Sequence, residues 1–226
     1  DSAVLTHDIE YGDWGTVERS GSARTMCVAA QLEIILTAYE IYAAETGDDS
    51  IWDYLPRRSF AYLGANDLKA HIWVNYDIDA GGTADALRHF GMGENIRFEE
   101  LLPGSFININ RTTGTGHAVL FLAYIDDEGN TYDTWNSDVI GFLYYSAQGG
   151  YSEGSGGLDY RYAIFSEHGS PSMPYNRDLN IIYSEDQLYL NTGMMFHPDL
   201  WQRTIYSDQA PGGRSWEPNV SSFDAE

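Results

Sequence analysis

Residues 106–124 read FININRTTGTGHAVLFLAY, and two β-strands can be recognised in this stretch. Phe106–Asn110 largely alternates apolar and polar side chains, as a strand with one buried face does. Ala118–Tyr124 is a continuous apolar run of strand length, which is typical of a central strand buried on both faces. We therefore predict a β-sheet that has Ala118–Tyr124 near its centre.

Further strand patterns follow this pair. The sequence Asp127-Glu128-Gly129-Asn130 favours a turn because glycine and asparagine accept turn backbone angles. Apolar runs after it predict strands at Thr131–Trp135, Ile140–Ala147 and Tyr160–Phe165.

Helical spacing precedes the strands. From Thr25 onwards, apolar residues recur at intervals of three and four: Val28, Leu32, Ile35, Leu36, Tyr39, Tyr42 and Ala43. Thr25 is suited to cap this helix and Gly47 to end it. Shorter helices are predicted over residues 66–73 and from Thr83 to Gly91. Helices followed by a cluster of strands predict an α+β fold, with N-terminal helices packed on a mostly antiparallel sheet.

The C-terminal part of the chain has a different composition. After Ser166 it is rich in Pro, Gly, Asn and Tyr, with short elements predicted at Leu179–Tyr183 and Gln187–Leu190. We predict a core over residues 1–168 and a loop-rich extension over residues 169–226 that packs on this core.

The charge balance restricts the possible partners. Thirty-four acidic residues face 12 basic ones, which gives a formal net charge of −22. A field of this sign repels nucleic acid and anionic membranes, so nucleic-acid binding is excluded. The chain has no apolar run long enough to span a bilayer, so we predict no membrane insertion. The histidines form no close pair and no HExxH or CxxC motif occurs, so we expect neither a metal nor another cofactor.

Two residues are candidates for chemistry. Cys27 is the only cysteine and falls in the first turn of the long predicted helix, where backbone N–H groups and the helix dipole favour a thiolate. His117 follows Gly114-Thr115-Gly116 and opens the most apolar strand, which would hold a general base rigidly. The alternative interpretations are a small buried cysteine and a histidine that only bonds to backbone.

Three segments in their order and spacing resemble the NlpC/P60-like branch of the papain-like cysteine hydrolases. They are residues 25–30, TMCVAA; residues 102–107, LPGSFI; and residues 116–121, GHAVLF. The resemblance covers about residues 20–165. It implies a papain-like α+β fold, with Cys27 as nucleophile and His117 as base and then acid.

The same resemblance implies a third residue that orients His117. Gln148, at the end of a predicted strand, is the first candidate, and Asn136 beside Trp135 and Asp133 are the alternatives. The implied reaction is cleavage of an amide bond, often in peptidoglycan stem peptides. Water as the final acceptor makes a hydrolase, and an amine acceptor makes a transglutaminase-like acyl transferase.

A non-catalytic function also fits the sequence. Aromatic residues make up 14% of the chain. A catalytically inactive papain-like domain could bind cell-wall or glycan ligands through Trp135, Tyr144, Tyr145 and Tyr151. Because the chain is acidic and starts at Asp1 rather than at Met, and because of the family resemblance, we expect a secreted or periplasmic protein with a peptide or peptidoglycan-type substrate.

Overall fold

The computed structural model of the chain describes residues 5–12, 15–17, 19, 27–54, 80–149, 156–169 and 177–205. The helix predicted over residues 66–73 lies outside these ranges. The helices in the described residues are α1 (Cys27–Thr46) and α2 (Thr83–His89), with 3₁₀ segments at Asp49–Asp53, Phe98–Glu100, Ser166–His168 and Pro198–Leu200. The strands are β1 (Ile9–Glu10), β2 (Thr16–Val17), β3 (Gly93–Asn95), β4 (Phe106–Asn110), β5 (Gly116–Ile125), β6 (Thr131–Tyr132), β7 (Gly141–Gln148), β8 (Gly157–Phe165), β9 (Arg177–Ile181) and β10 (Leu190–Met195).

One large sheet organises the molecule. Its strand order is β3-β10-β4-β5-β7-β8-β9, with β6 paired to the end of β5, while β1 and β2 form a separate hairpin. Every pairing in the large sheet is antiparallel except that of β8 with β9. The α+β class and the central position of β5 are therefore confirmed.

The long helix is as predicted. α1 buries Val28, Leu32, Ile35, Leu36 and Tyr39, which are the apolar positions of the helical pattern. It ends at Gly47, whose positive φ of 72° lets its N–H bond back to the carbonyl of Ala43. The helix is long and apolar enough to cross a membrane by length and composition, but half of it is buried inside the domain.

The start of α2 differs slightly from the prediction. The capping position is Gly82, and Thr83 is the first helical residue. A Cβ atom on Gly82 would lie 2.6 Å from Asn191 Oδ1 and 2.7 Å from Asn108 Cβ. The close approach of α2 to β4 and β10 therefore requires glycine at this position.

The two faces of the sheet are covered differently. Successive side chains of a strand point to opposite faces, so β4 and β5 contribute to both. Phe106 and Leu120, which are paired in register, pack with α1 and α2, and this side is called the helix face below. Ile109, which is paired with His117, packs with Val119 and Phe121 in the second core, and this side is called the network face.

Segments on both sides of residue 168 contribute strands to the large sheet. β10 lies between β3 and β4, and β9 continues the sheet beyond β8. Both strands come from the segment predicted to be an extension. The sequence predicted only short elements here, because β9 and β10 are short and carry Asn, Thr and Gly between their apolar residues.

The strand predicted at Thr131–Trp135 is shorter than expected. β6 stops at Tyr132 because the chain then enters a turn, in which Asn136 Oδ1 accepts the N–H of Asp138 at 2.9 Å. The sheet continues instead with β7, which pairs along β5 up to Leu120.

Candidate functional site

Cys27 is the first residue of α1 and is buried. Gln31, one turn further along the same side of the helix, donates from Nε2 to the carbonyl of Ala118 at 3.5 Å. Ala118 belongs to β5 and is paired with Asn108 of β4. α1 therefore packs over β5, and it also contacts β7.

His117 is the second residue of β5 and its side chain lies on the network face. Its Nε2 is 2.7 Å from the hydroxyl of Ser146, and both residues are buried. Its ring also contacts the ring of Tyr144 edge-on, with centroids 5.8 Å apart. Ser146 and Tyr144 are two residues apart on β7, so they point to the same side as His117.

Burial decides the charge state of His117. Loss of solvent lowers the pKa of its imidazole from 6.5 to about 4. Asp178 acts in the opposite direction, whereas Arg111 and Arg161 lower the pKa further. The imidazole is therefore neutral at pH 7 and can accept a proton or a hydrogen bond.

Charged side chains continue the network around His117. The hydroxyl of Tyr144 donates to Asp178 Oδ2, and the other oxygen of Asp178 lies 3.6 Å from Arg111 Nη2. Arg161 is buried and donates from its two terminal nitrogens to the carbonyls of Ser146 and Gly157, each at 3.2 Å. Burial and the adjacent Asp178 raise the pKa of Tyr144 well above its usual value.

Cys27 and His117 are the predicted catalytic pair. The imidazole of His117 is bonded to Ser146 on the network face, and Gln31, one turn after Cys27 on α1, bonds to the carbonyl of Ala118. Because side chains alternate along β5, the side chains of His117 and Ala118 lie on opposite faces of the sheet. The catalytic roles assigned to the two residues stay predictions.

The predicted third residues lie at different distances from His117. Gln148 ends β7 on the same face as Ser146, but among the described residues the hydrogen-bond partner of His117 is Ser146. Asn136 and Asp133 lie in the loop between β6 and β7, at the opposite end of β5 from His117. The alternation of β7 could have suggested Ser146, since it lies two residues before Gln148.

Sequence reasoning missed the rest of the network. Asp178 and Arg161 meet Tyr144 only because β8 pairs with both β7 and β9. No short-range pattern in the chain links these positions. The charged and polar residues of this network could hold an anion or orient a hydrogen bond. In the described part of the chain, no group of three His, Cys, Asp or Glu residues could hold a metal ion.

The aromatic residues of the binding hypothesis are distributed over both faces. Tyr144 is fully buried, whereas Tyr145 is half-buried and lies beside the exposed Tyr160, with ring centroids 5.4 Å apart and tilted ring planes. Trp135 is partly exposed beside Phe98. Tyr151 lies outside the described residues. Among the described residues of the predicted set, Trp135 and Tyr145 are therefore accessible, and Tyr145 gains an exposed neighbour, Tyr160, which the sequence did not predict.

Comparison with protein-family models, curated proteins and solved structures finds no match for this chain.

Proposed function

We propose that this chain is a non-catalytic, papain-like domain that binds a neutral oligosaccharide through Tyr145 and Tyr160. The observation that carries the proposal is the accessible pair of tyrosine rings, in which Tyr160 is 57% exposed and its ring centroid lies 5.4 Å from that of Tyr145. The hydrogen bond between the imidazole of His117 and Ser146 supports a non-catalytic role, because a cysteine hydrolase uses its imidazole to activate the thiol.

The tyrosine pair supports a binding role. Tyr160 is 57% exposed and Leu158, two residues before it on the same side of β8, is 43% exposed. Tyr145 faces Tyr160 across the β7–β8 pair, with 52° between the ring planes. Such exposed aromatic rings offer flat apolar surfaces against which the C–H face of a sugar ring can pack.

Carboxylates border this tyrosine pair and favour an uncharged ligand. Burial raises the pKa of Tyr145 above its usual value, and Tyr160, Glu33 and Asp159 raise it further. Glu33 is fixed by the N–H of Thr6 at 2.9 Å and by His7 at 2.8 Å. Carboxylates accept hydrogen bonds from sugar hydroxyls, while the net charge of −22 repels anionic ligands.

Calorimetric titration of the intact protein with chitotetraose and cellotetraose tests the proposal. We expect binding of at least one sugar, and an affinity at least tenfold weaker in Tyr160→Ala because a stacking surface is lost. Trp135→Ala is the matched control, since Trp135 is also partly exposed but lies beside Phe98 on the network face, and its affinity should stay within twofold. Failure of both sugars to bind, or an unchanged affinity in Tyr160→Ala, would show that the tyrosine pair is not the site.

The competing prediction remains a cysteine hydrolase or acyl transferase that uses Cys27, His117 and Gln148 on a peptidoglycan-type amide. Incubating the intact protein and Cys27→Ser with soluble peptidoglycan fragments separates the two functions. The binding proposal expects identical fragment patterns with both proteins. Cleavage or amine transfer that disappears in Cys27→Ser would overturn it in favour of the enzyme.

A further inference from the structure

Five buried polar atoms on the helix face have no hydrogen-bond partner. They are Gln31 Oε1, Thr83 Oγ1, Asn108 Nδ2, Asn108 Oδ1 and Asn191 Oδ1. The four residues are at most 1% exposed. A buried polar atom without a partner is costly, and native proteins contain few of them.

The four residues come from adjacent elements of the fold. Asn108 is paired in register with Ala118 on one side and with Asn191 on the other. Gln31 of α1 donates from Nε2 to the carbonyl of Ala118, the partner of Asn108. Thr83 begins α2 directly after Gly82, where an added Cβ would lie 2.6 Å from Asn191 Oδ1 and 2.7 Å from Asn108 Cβ.

We propose that these side chains form a binding site for an uncharged carboxamide group, as in a primary amide ligand. The three amide oxygens can accept the two N–H bonds of a carboxamide, and Asn108 Nδ2 and the Thr83 hydroxyl can donate to its oxygen. A single hydroxyl group has one hydrogen to donate and would leave most of the three acceptors without a partner. This inference is independent of the tyrosine pair and of Cys27 chemistry.

The surroundings favour a neutral ligand over a carboxylate. None of the four side chains is charged, and the acid next to the site, Asp85, accepts the N–H of Gly81 at 2.8 Å. Asn110 donates from Nδ2 to the carbonyls of Gly81 at 3.4 Å and Leu188 at 3.0 Å, which ties the segments before α2 and β10 together beside the site. A carboxylate would meet oxygen acceptors and a nearby negative charge.

The test uses acetamide as the probe and acetate, which has nearly the same shape, as its charged counterpart. Two-dimensional NMR of the intact protein should show saturable shifts of the side-chain amide signals of Asn108 and Asn191 with acetamide, at millimolar concentrations as expected for so small a ligand. Acetate at the same concentration should leave these signals in place.

Two variants and one control complete the experiment. Thr83→Val, which preserves side-chain shape, and Asn108→Leu should each weaken acetamide binding at least fivefold. Thr37→Val removes another unpartnered hydroxyl, on the part of α1 beyond Gln31, and should bind acetamide as the wild type does. Absence of saturable shifts at Asn108 and Asn191 in the wild type would overturn the proposal, as would an unchanged affinity in Thr83→Val.

Discussion

The two faces of the central sheet bury polar groups in opposite ways. On the network face, His117, Ser146, Tyr144, Asp178 and Arg161 are joined by hydrogen bonds and opposite charges. On the helix face, the four buried polar residues Gln31, Thr83, Asn108 and Asn191 are neutral and leave five atoms without partners. A buried charge is tolerated only when it is paired, whereas a neutral amide can stay unpaired at a smaller cost.

The difference also limits what the family pattern can predict. Adjacent residues of β5 serve the two faces, His117 on one and Ala118 on the other. The motif around His117 gives the order of residues along the chain but not the face towards which the imidazole points. A shift of one position along β5 would therefore turn the imidazole from the network face towards α1.

The largest effect is expected when a charge is removed from the network face. Asp178→Ala deprives the Tyr144 hydroxyl of its acceptor and Arg111 of a negative partner, and should lower the free energy of unfolding by about 3 kcal/mol. Chemical denaturation measures this loss. Asp127→Ala, at an exposed turn position, is the control and should change stability by less than about 0.5 kcal/mol. Equal free energies of unfolding of the two variants would mean that the network does not stabilise the sheet.

A comparable effect is expected from acid, through His117. The pKa of His117 is about 4 in the folded state and near 6.5 when unfolded, so below pH 6.5 the unfolded state binds more protons than the folded state. The contribution of His117 to stability is therefore intact at pH 7 and falls by about 3 kcal/mol between pH 7 and pH 4. Denaturation curves of the wild type and His117→Gln across this range measure it as the difference between their pH slopes. Parallel slopes would contradict a buried, neutral imidazole.

The smallest effect, and one of opposite sign, is expected on the helix face. Thr83→Val removes a hydroxyl that has no partner, so in buffer without an amide ligand stability should stay the same or rise by up to about 1 kcal/mol. Thermal unfolding of the variant beside the wild type measures the change. A clear loss of stability would show that the hydroxyl is already satisfied, and the contrast between the two faces would disappear.

Much of the secondary structure follows from local patterns. α1, β4, β5, β7 and β8 were predicted within a few residues because their apolar residues repeat with the period of a helix or form strand-length runs. β9 and β10 were predicted only as short elements of an extension, because brief strands with polar residues carry little periodic signal.

The sequence by itself determined the α+β class, the long apolar helix that begins at Cys27, the central strand that carries His117, and a charge that disfavours anionic partners. These properties depend only on the composition of the chain and on interactions between residues that are close in sequence. Only the tertiary structure decided that His117 bonds to Ser146, that Asp178 accepts from Tyr144, and that β10 lies between β3 and β4. The reason is that strand register and the face of each side chain are set by pairing between distant segments, which no local pattern specifies.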